Sequence, residues 1–329
     1  MKVLVTGGSG FIGAALVGRL VADGHAVRVL DDNSRGRPRR LAVVAGEIEM
    51  VQGDVRDAAV VSEATRGVAR VIHLAAVNGT EFFYSRPELV LDVALRGILN
   101  VVDACRAHGV GDLVVASSSE VYQTPARVPT DESAPLVVPD VKNPRYSYGG
   151  GKIVTELVAM NHGRTGFDRL TVFRPHNVYG PDMGWEHVIP QLALRARDLV
   201  AAHPEGPVPF PIQGDGNQTR AFIHIDDFTD GLATVIGRGA HGEIYHIGTM
   251  EEVRIADLAK GVVAAFGRDI DLQPGPEPAG ATPRRCPDTA KLRALGFAPR
   301  IALAEGLPGV VEWYRDNAHL KDAPPGDAA

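Results

Sequence analysis

The sequence predicts an α/β fold, in which a doubly wound parallel sheet is followed by a smaller C-terminal lobe. Two observations lead to this prediction. In the first half of the 329-residue chain, short runs of Val, Leu and Ile alternate with longer helical patterns, which is the rhythm of βαβ units. These runs are apolar throughout, as expected for strands that helices cover on both faces. After about residue 175 the pattern changes to shorter elements between clusters of Pro and Gly.

Each element follows from its own stretch of sequence. The strands of the sheet are predicted at 2–6, 26–31, 70–74, 112–117 and 170–174. Helices are predicted at 11–23, 88–107, 148–163, 226–236, 255–266 and 304–315, and Pro-rich loops at 204–211 and 274–283. We therefore divide the chain into a first domain at 1–175, a region at 176–320 that is mainly a second lobe, and a disordered, proline-containing tail at 321–329.

A glycine-rich segment joins the first strand to the first helix. It reads Gly7-Gly8-Ser9-Gly10-Phe11-Ile12-Gly13, so that glycines recur at the spacing GxxGxxG. Glycine allows a tight turn and the close approach of backbone to a pyrophosphate, whose charge the N-terminus of the helix stabilises. The segment therefore predicts a Rossmann-type domain that binds a dinucleotide. The residues expected at the cofactor are Gly7, Gly10, Phe11, Ile12 and Gly13.

An acidic residue, Asp31, stands at the end of the second strand, 21 residues after Gly10. A carboxylate here accepts hydrogen bonds from the ribose hydroxyls of NAD and repels the 2′-phosphate of NADP. Asn33 is predicted to contact the cofactor beside it. Asp54 and Val55 follow a third short strand and are predicted to contact the adenine.

Four arginines follow this acidic residue, at positions 35, 37, 39 and 40. A cluster of arginines can bind the 2′-phosphate of NADP, and so opposes the preference that Asp31 sets. We interpret the four side chains as a solvated loop, and the sequence therefore predicts NAD as the cofactor.

A tyrosine and a lysine lie one helical turn apart in Tyr148-Gly149-Gly150-Gly151-Lys152. The spacing of four residues places both side chains on one face of a helix. A nearby ammonium lowers the pKa of a phenol, so that the tyrosinate can take a proton from a substrate hydroxyl as hydride leaves the carbon. Ser118 lies in a run of three serines that closes an apolar strand where the cofactor is expected. The sequence therefore predicts Tyr148 and Lys152 as a catalytic pair, with the hydroxyls of the serine run close to them.

Together with these residues, three further segments resemble the extended short-chain dehydrogenase/reductase family, and within it the epimerases and dehydratases of nucleotide sugars. The segments are His73-Leu74-Ala75-Ala76, Arg174-Pro175-His176-Asn177-Val178-Tyr179-Gly180-Pro181 and Gly214-Asp215-Gly216-Asn217-Gln218-Thr219-Arg220. The resemblance covers residues 1 to about 316. It departs at Asp92, where the family usually has Asn, and at Gln123, where it usually has Gly, and we predict no role for either residue.

The resemblance implies roles for the residues of the first domain. Ser118 is the hydroxyl of a triad, Tyr148 is the base, and Lys152 is its partner and also holds the nicotinamide ribose. The cofactor site extends to Leu74, Ala75 and Ala76. The family also pairs two long helices into a dimeric four-helix bundle, which implies a homodimer through the helices at 88–107 and 148–163.

The resemblance also implies that the second lobe binds a nucleoside-diphosphate sugar. Asn177 and Arg220 would grip the diphosphate, a role that suits an amide donor and a guanidinium fork. Arg285, or its neighbour Arg284, would add to that grip, although the Arg-Pro-Gly-Asp pattern usual in the family is absent. Ser119 is the further residue predicted to contact the substrate.

The sequence is compatible with several reactions, which all begin with the oxidation of sugar carbon 4 by NAD. A 4-epimerase rotates the resulting 4-keto sugar and reduces it from the other face, which needs no further carboxylate. Glu120 stands where 4,6-dehydratases and UDP-glucuronate decarboxylases carry Glu, and a carboxylate there can take the acidified C5 proton. In the dehydratases that use an Asp–Glu pair, however, the Asp position is Ser119 in this sequence.

A third chemistry is indicated by Trp185-Glu186-His187, which follows the second of the quoted segments. This stretch resembles GDP-mannose 3,5-epimerases, in which one residue removes a proton and a second replaces it from the opposite face. The matching residues here are Glu120 and His187. The sequence favours an epimerase that retains NAD, ahead of a dehydratase or decarboxylase and of a net oxidoreductase. A non-catalytic regulator that binds NAD and a nucleotide sugar is the alternative of another class.

The composition argues against other classes of protein. A net charge of −6, from 34 basic and 40 acidic residues, disfavours binding to nucleic acid or to an anionic membrane. No apolar run approaches the ~18 residues of a membrane span, and the N-terminus has no export signal. Cys105 and Cys286 lie far apart, which is typical of two thiols in a reducing compartment. We therefore expect a cytoplasmic enzyme without a metal, in which His73, His224 and His246 are structural.

Overall fold

The computed structural model describes residues 1–276 and 282–322. In chain order its strands are β1 (Lys2–Thr6), β2 (Ala26–Asp31), β3 (Ile48–Gln52), β4 (Arg70–His73), β5 (Asp112–Ala116), β6 (Arg169–Pro175), β7 (Val178–Tyr179), β8 (Val208–Ile212), β9 (Thr219–Ala221), β10 (Ile223–His224), β11 (Glu243–Ile247), β12 (Glu252–Arg254), β13 (Ile270–Pro274) and β14 (Arg284–Arg285). Its α-helices are α1 (Phe11–Ala22), α2 (Ala58–Thr65), α3 (Thr80–Ser85), α4 (Pro87–Ala107), α5 (Ser147–Gly166), α6 (Val188–Ala202), α7 (Ile225–Arg238), α8 (Ile255–Ala264), α9 (Ala290–Ala294) and α10 (Leu303–Asp316). Short 3₁₀ helices span Pro38–Val44, Ser119–Val121, Pro144–Tyr146 and Ala318–Asp322.

Within these residues, the central element is a seven-stranded sheet in the order β11-β6-β5-β4-β1-β2-β3. Neighbouring strands pair in parallel, for example Val3 with Arg70 across β1 and β4. The chain moves outward from β1 to β3 and then returns to the other side of β1 with β4. Ligands of doubly wound sheets bind at such a reversal of strand order, outside the carboxyl ends of the strands. The predicted Rossmann-type fold is confirmed.

The apolar character of the strands follows from burial of both faces of the sheet. On β1, Val3 and Val5 point to one core, which they share with Phe228 of α7, while Leu4 points to the other core, with Val101 of α4. Because side chains alternate along a strand, a strand between two layers of helices must be apolar at every position. All five side chains are fully buried.

The second half of the chain builds a smaller lobe but also completes the central sheet. The strand β11 pairs with β6, with Tyr245 opposite Phe173, so the chain returns to the sheet after residue 175. A third core joins β8, α8 and α10 through Phe210, Leu258 and Val310. The division of function between 1–175 and 176–320 stays a prediction.

Two local predictions need correction. The segment 204–211 was predicted as a loop, but β8 lies in it and pairs with β13, with Val208, Phe210 and Ile212 buried. Proline is tolerated in this strand because both strands of a two-stranded sheet are edges, where a missing N–H need not face a partner. The helix Ala318–Asp322 includes the first residues of the predicted tail, whereas 323–329 lie outside the described residues. The same holds for 277–281, inside the second predicted loop.

The predicted structural residues lie in the core or on strands. Cys105 and Cys286 are buried and unpaired, and burial raises the pKa of their thiols to about 12 and about 11. The predicted structural histidines lie on β4, β10 and β11. None of the helices in the described part of the chain is long and apolar enough to cross a membrane.

Candidate active site

A cavity of about 430 Å³ opens at the carboxyl ends of β1 and β4 and gathers residues from distant parts of the chain. The predicted site residues that line it are Gly7, Gly10, Phe11, Ile12, Gly13, Asp31, Asp54, Val55, Leu74, Ala75, Ala76, Ser118, Ser119, Glu120, Tyr148, Lys152, Asn177, His187 and Arg285. Asn33 and Arg220 are not among the lining residues. The fold therefore brings most of the predicted site together in one place.

The glycine segment forms a cradle of bare backbone at one end of this cavity. Gly7 has a φ of +74°, and a Cβ atom there would lie 2.8 Å from the backbone nitrogen of Ala75. A Cβ atom on Gly13 would lie only 2.1 Å from the carbonyl oxygen of Gly7. Gly10 caps α1 without a side-chain acceptor, so the first N–H groups of the helix have no side-chain partner there. Donors of this kind at a helix N-terminus suit a pyrophosphate, and the residues fit a dinucleotide.

Asp31 is held in place by two backbone N–H groups. Its Oδ2 accepts from Ser9 N at 2.9 Å, and its Oδ1 accepts from Asn33 N at 2.9 Å. A carboxylate has about four acceptor positions, so two remain for ribose hydroxyls. Asn33 has a φ of 58° and accepts a hydrogen bond from the Ser9 hydroxyl at 2.8 Å. It shapes this turn, and its direct contact with a cofactor stays a prediction.

The interpretation of the following arginines as a solvated loop is wrong. Arg39 donates to Asp182 Oδ1 at 2.6 Å, and Arg40 donates to Asp182 Oδ2 at 3.1 Å. Arg35 lies 3.5 Å from a carboxylate oxygen of Glu186. Their partners come from the loop after β7, far away in the sequence, so no local pattern reveals these ion pairs.

The predicted catalytic group comes together at the start of α5. The ring of Tyr148 is buried and stacks on Phe83, with 5.2 Å between ring centroids. Lys152 Nζ donates to the carbonyl oxygen of Ala116 at 2.8 Å and lies 5.9 Å from the centre of the Tyr148 ring. Ser118 caps the short helix Ser119–Val121, where its Oγ accepts from the Glu120 N–H at 3.1 Å.

The predicted lowering of the Tyr148 pKa by Lys152 is not what the structure shows. Burial raises the pKa of Tyr148 to about 12, and this effect exceeds the opposing hydrogen bond with Ser118, while the Glu120 charge raises the pKa further. Burial also lowers the pKa of Lys152 to about 8, against the stabilising charge of Glu156. Desolvation disfavours the charged form of both groups, and it is the largest cause of both shifts.

Glu120 forms an ion pair with Arg285 in the cavity. Burial raises the pKa of Glu120, but the charges of Arg285, Arg145 and Arg220 outweigh burial and hold this pKa below its ordinary value. Glu120 is therefore an ionised, paired carboxylate at neutral pH.

Two neighbouring strands supply the arginines of this region. Arg285 on β14 is the register partner of Arg220 on β9. Burial and the charge of Arg285 lower the pKa of Arg220 to about 10, and its guanidinium donates to Thr219 O at 2.7 Å. Arg284 donates instead to Glu252 at 2.8 Å on the exposed side, so of the two candidate arginines it is Arg285 that faces the cavity.

His187 and Asn177 belong to the wall that the second half of the chain provides. His187 is the N-cap of α6, and burial lowers its pKa, so the imidazole is neutral at pH 7. Asn177 has a φ of 40°, and its amide nitrogen donates to Ala221 O at 2.9 Å. One amide N–H is thus used within the protein, and the other remains free to donate to a ligand.

The two departures from the family pattern have local explanations. Gln123 has a φ of 53°, a conformation that favours Gly, and its amide donates to Glu120 O at 2.6 Å. Asp92 lies on the exposed side of α4, where its carboxylate accepts from Arg96 at 2.6 Å.

Some lining residues were not predicted from the sequence. They are contributed mainly by the segment after β4, by the loop after β7 and by Phe83, and include Asn78, Gly79, Thr80, Met183, Gly184 and Glu186. The polar segment after β4 was detectable, because residues that follow parallel strands meet at one edge of the sheet. Phe83 carried no such signal. Across the part of the chain that the structure describes, no group of His, Cys, Asp and Glu is arranged to hold a metal ion.

The chain that forms this cavity is similar to known proteins. The model of the "NAD dependent epimerase/dehydratase family" matches residues 3–248. The UDP-glucose 4-epimerase of Mycolicibacterium smegmatis is 33% identical over 324 residues, covering 97% of this chain and 100% of that protein. The dTDP-glucose 4,6-dehydratase of Streptomyces niveus is 31% identical over 328 residues, covering 96% of this chain and 94% of that protein. The dTDP-glucose 4,6-dehydratase DesIV of Streptomyces venezuelae, crystallised with NAD, has a TM-score of 0.85 and 31% identity, covering 98% of this chain and 99% of that chain.

These similarities extend over nearly the whole chain, including both walls of the cavity. They confirm the resemblance that the motifs predicted, and they agree with the cradle for a dinucleotide at the glycine segment. The chain belongs to the NAD-dependent epimerase/dehydratase family, within the extended short-chain dehydrogenases/reductases, and its cofactor is NAD.

Proposed function

We propose that this protein is a nucleotide-sugar epimerase that acts through a 4-keto sugar and keeps its NAD between the two half-reactions. The glycine segment and Asp31 would hold NAD, which would supply reversible hydride transfer at sugar carbon 4. The protein transfers the proton, binds the nucleotide and provides the cavity in which the keto sugar rotates. Relatives named as epimerases and as dehydratases are about equally similar to the chain, so the choice between these activities rests on the cavity.

The catalytic group would transfer one proton from the sugar to the protein during oxidation and return it during reduction. Tyr148 Oη takes the proton of the C4 hydroxyl as the C–H bond breaks, and it returns this proton to the carbonyl oxygen on reduction. Because burial holds the Tyr148 pKa at about 12, the phenolate needs a positive charge beside it, which Lys152 provides 5.9 Å from the ring. Ser118 donates a hydrogen bond to the same sugar oxygen.

The observation that carries this choice is the ion pair between Glu120 and Arg285. A dehydratase or a 3,5-epimerase needs a free base near carbon 5, and an efficient base has a pKa near the working pH. Glu120 is paired, and its pKa lies below the ordinary value, so it is a weak base. The hydride route to a 4-epimer does not need it.

The experiment is incubation with a panel of UDP-, dTDP-, GDP- and CDP-sugars in D₂O, without added NAD. Proton NMR and mass spectrometry identify the products. A sugar isomer without deuterium is the expected result. An isomer with deuterium at C3 or C5 would place Glu120 and His187 in the mechanism, and loss of water or carbon dioxide would overturn the proposal.

The 4,6-dehydratase is the second candidate, because Glu120 lines the cavity and its side chain is still 31% exposed. Glu120→Gln distinguishes the two. A 4-epimerase retains most of its turnover in this variant, whereas a dehydratase loses the proton abstraction from C5. Glu252→Gln, which alters the neighbouring ion pair with Arg284 outside the cavity, is the matched control.

A further inference from the structure

Two ion pairs join opposite walls of the NAD cavity. Arg39 Nη2 lies 2.6 Å from Asp182 Oδ1, and Arg40 Nε lies 3.1 Å from Asp182 Oδ2. These three side chains, here called the clasp, are 15%, 12% and 14% exposed. Charges that are this well covered are screened by salt much less than those of surface pairs.

The arginine side of the clasp lies over the glycine segment. The backbone N–H of Arg37 donates to Ser9 O at 2.9 Å, and Arg40 Nη1 donates to the same oxygen at 3.4 Å. Arg35, Gly36 and Arg40 line the cavity on this side. The arginines are therefore packed against the turn that is expected to hold the pyrophosphate.

The aspartate side belongs to the C-terminal lobe. The residue after it, Met183, accepts a hydrogen bond on its carbonyl oxygen from Tyr314 Oη at 2.8 Å. Trp185 packs against Tyr314 with 4.9 Å between ring centroids. Met183, Gly184 and Glu186 line the cavity, so α10 anchors this wall.

The backbone at Asp182 is also held by the clasp. Its φ is 56°, a left-handed conformation that is uncommon for any residue other than Gly, Asn or Asp. Arg40 Nη2 donates to the Asp182 carbonyl oxygen at 2.6 Å while Nε donates to the carboxylate. One guanidinium thus fixes both the side chain and the main chain of the opposite wall.

We infer that Arg39, Arg40 and Asp182 form a gate that retains NAD, which dissociates only when these ion pairs open. The clasp connects the loop after β2 to the loop after β7 across the cradle, and the two loops separate only if it breaks. The inference rests on NAD as the cofactor and is independent of whether the sugar is epimerised or dehydrated. It also supplies what the proposed reaction requires, since the hydride must return from the same cofactor molecule.

The test measures the release of bound NAD from the purified holoprotein. The protein is loaded with isotopically labelled NAD, mixed with excess unlabelled NAD, and the loss of label is followed by rapid filtration. Asp182→Asn removes the charge and keeps a residue that tolerates the left-handed conformation. We expect release to be faster by about tenfold or more, as for loss of a well-covered ion pair. Arg39→Gln, at a position outside the cavity lining, should act in the same direction.

Asp257→Asn is the matched control. Asp257 pairs with the exposed Arg254 on the surface at α8, and its loss should leave the release rate unchanged. Clasp variants that release NAD at the wild-type rate, or a control variant that releases it as fast as Asp182→Asn, would overturn the inference.

Discussion

At the scale of single residues, the cavity is governed by the competition between burial and charge. Tyr148 and Lys152 are both nearly inaccessible, and burial moves the pKa of each toward its neutral form. Glu120 is the opposite case, because its arginine neighbours outweigh burial. The chemistry of each group therefore depends on its partners rather than on its residue type alone.

Tyr148→Phe tests whether the protein is an enzyme or a binding protein. Phenylalanine keeps the stacking on Phe83 and removes only the proton-transferring oxygen. Turnover of the nucleotide sugar should fall about 10²–10⁴-fold, while NAD binding, measured by calorimetry, should stay within a factor of about two. If the wild-type protein turns over none of the sugars in the panel and the variant binds them equally well, the protein is the non-catalytic regulator.

The pH dependence of the oxidation step follows from Lys152. Since burial lowers its pKa to about 8, the ammonium is present below this pH and is lost as the pH rises through it. The rate of C4 oxidation, followed by absorbance of the reduced cofactor, should therefore fall above about pH 8. A rate that continues to rise well above this pH would show that the charge on Lys152 is not required.

At the scale of elements, a buried ion pair connects α5 to β6. Arg174 donates to Glu156 through Nε at 2.8 Å and through Nη2 at 2.6 Å, and both side chains are at most 5% exposed. Ser117 also donates to Glu156, so the serine run is tied to the helix that carries Tyr148 and Lys152. Through Glu156, this network connects the serine run and β6 to the helix that carries Tyr148 and Lys152.

Glu156→Gln should destabilise the protein, because it leaves the buried Arg174 without its counter-charge. The expected loss in the free energy of unfolding is about 3–5 kcal/mol, measured by urea denaturation. Glu63→Gln breaks an exposed ion pair with Arg66 and should change the free energy of unfolding by less than about 0.5 kcal/mol. Equal effects of the two substitutions would contradict this assignment.

At the scale of the whole molecule, we propose that α4 and α5 form the homodimer interface that the family resemblance implies. Leu91, Leu99 and Leu157 on these two packed helices are 39%, 42% and 56% exposed. Exposed apolar side chains that together form a patch mark surfaces where a partner binds. Leu157→Glu should convert a dimer to a monomer in sedimentation experiments. Val43→Glu, at a position that is 95% exposed on another surface, is the control and should leave the assembly unchanged. A monomeric wild-type protein would contradict the proposal.

The strands and helices that were predicted from local sequence patterns agree closely with the structure. The predicted strands at 2–6 and 26–31 agree with β1 and β2 at both ends, and the predicted helices end within three residues of the observed ones. In contrast, α2, α3, α6 and α9 were not predicted. Three of these helices are short, whereas α6 spans 15 residues and its buried face was overlooked in the sequence. The strand β8 was missed because its prolines are typical of a loop.

By itself, the sequence determined the fold class, the glycine segment, the Tyr–Lys spacing on which the proposed catalytic pair rests, and the family, because each is carried by short stretches of the chain. Only the tertiary structure decided that Arg285 neutralises Glu120, that Asp182 engages Arg39 and Arg40, and that burial raises the pKa of Tyr148. These features arise from contacts between residues far apart in sequence and from the exclusion of water. Long-range contacts and the exclusion of water leave no periodic or spaced pattern in the sequence. The residues around a charged side chain therefore do not indicate which partner it will contact after folding.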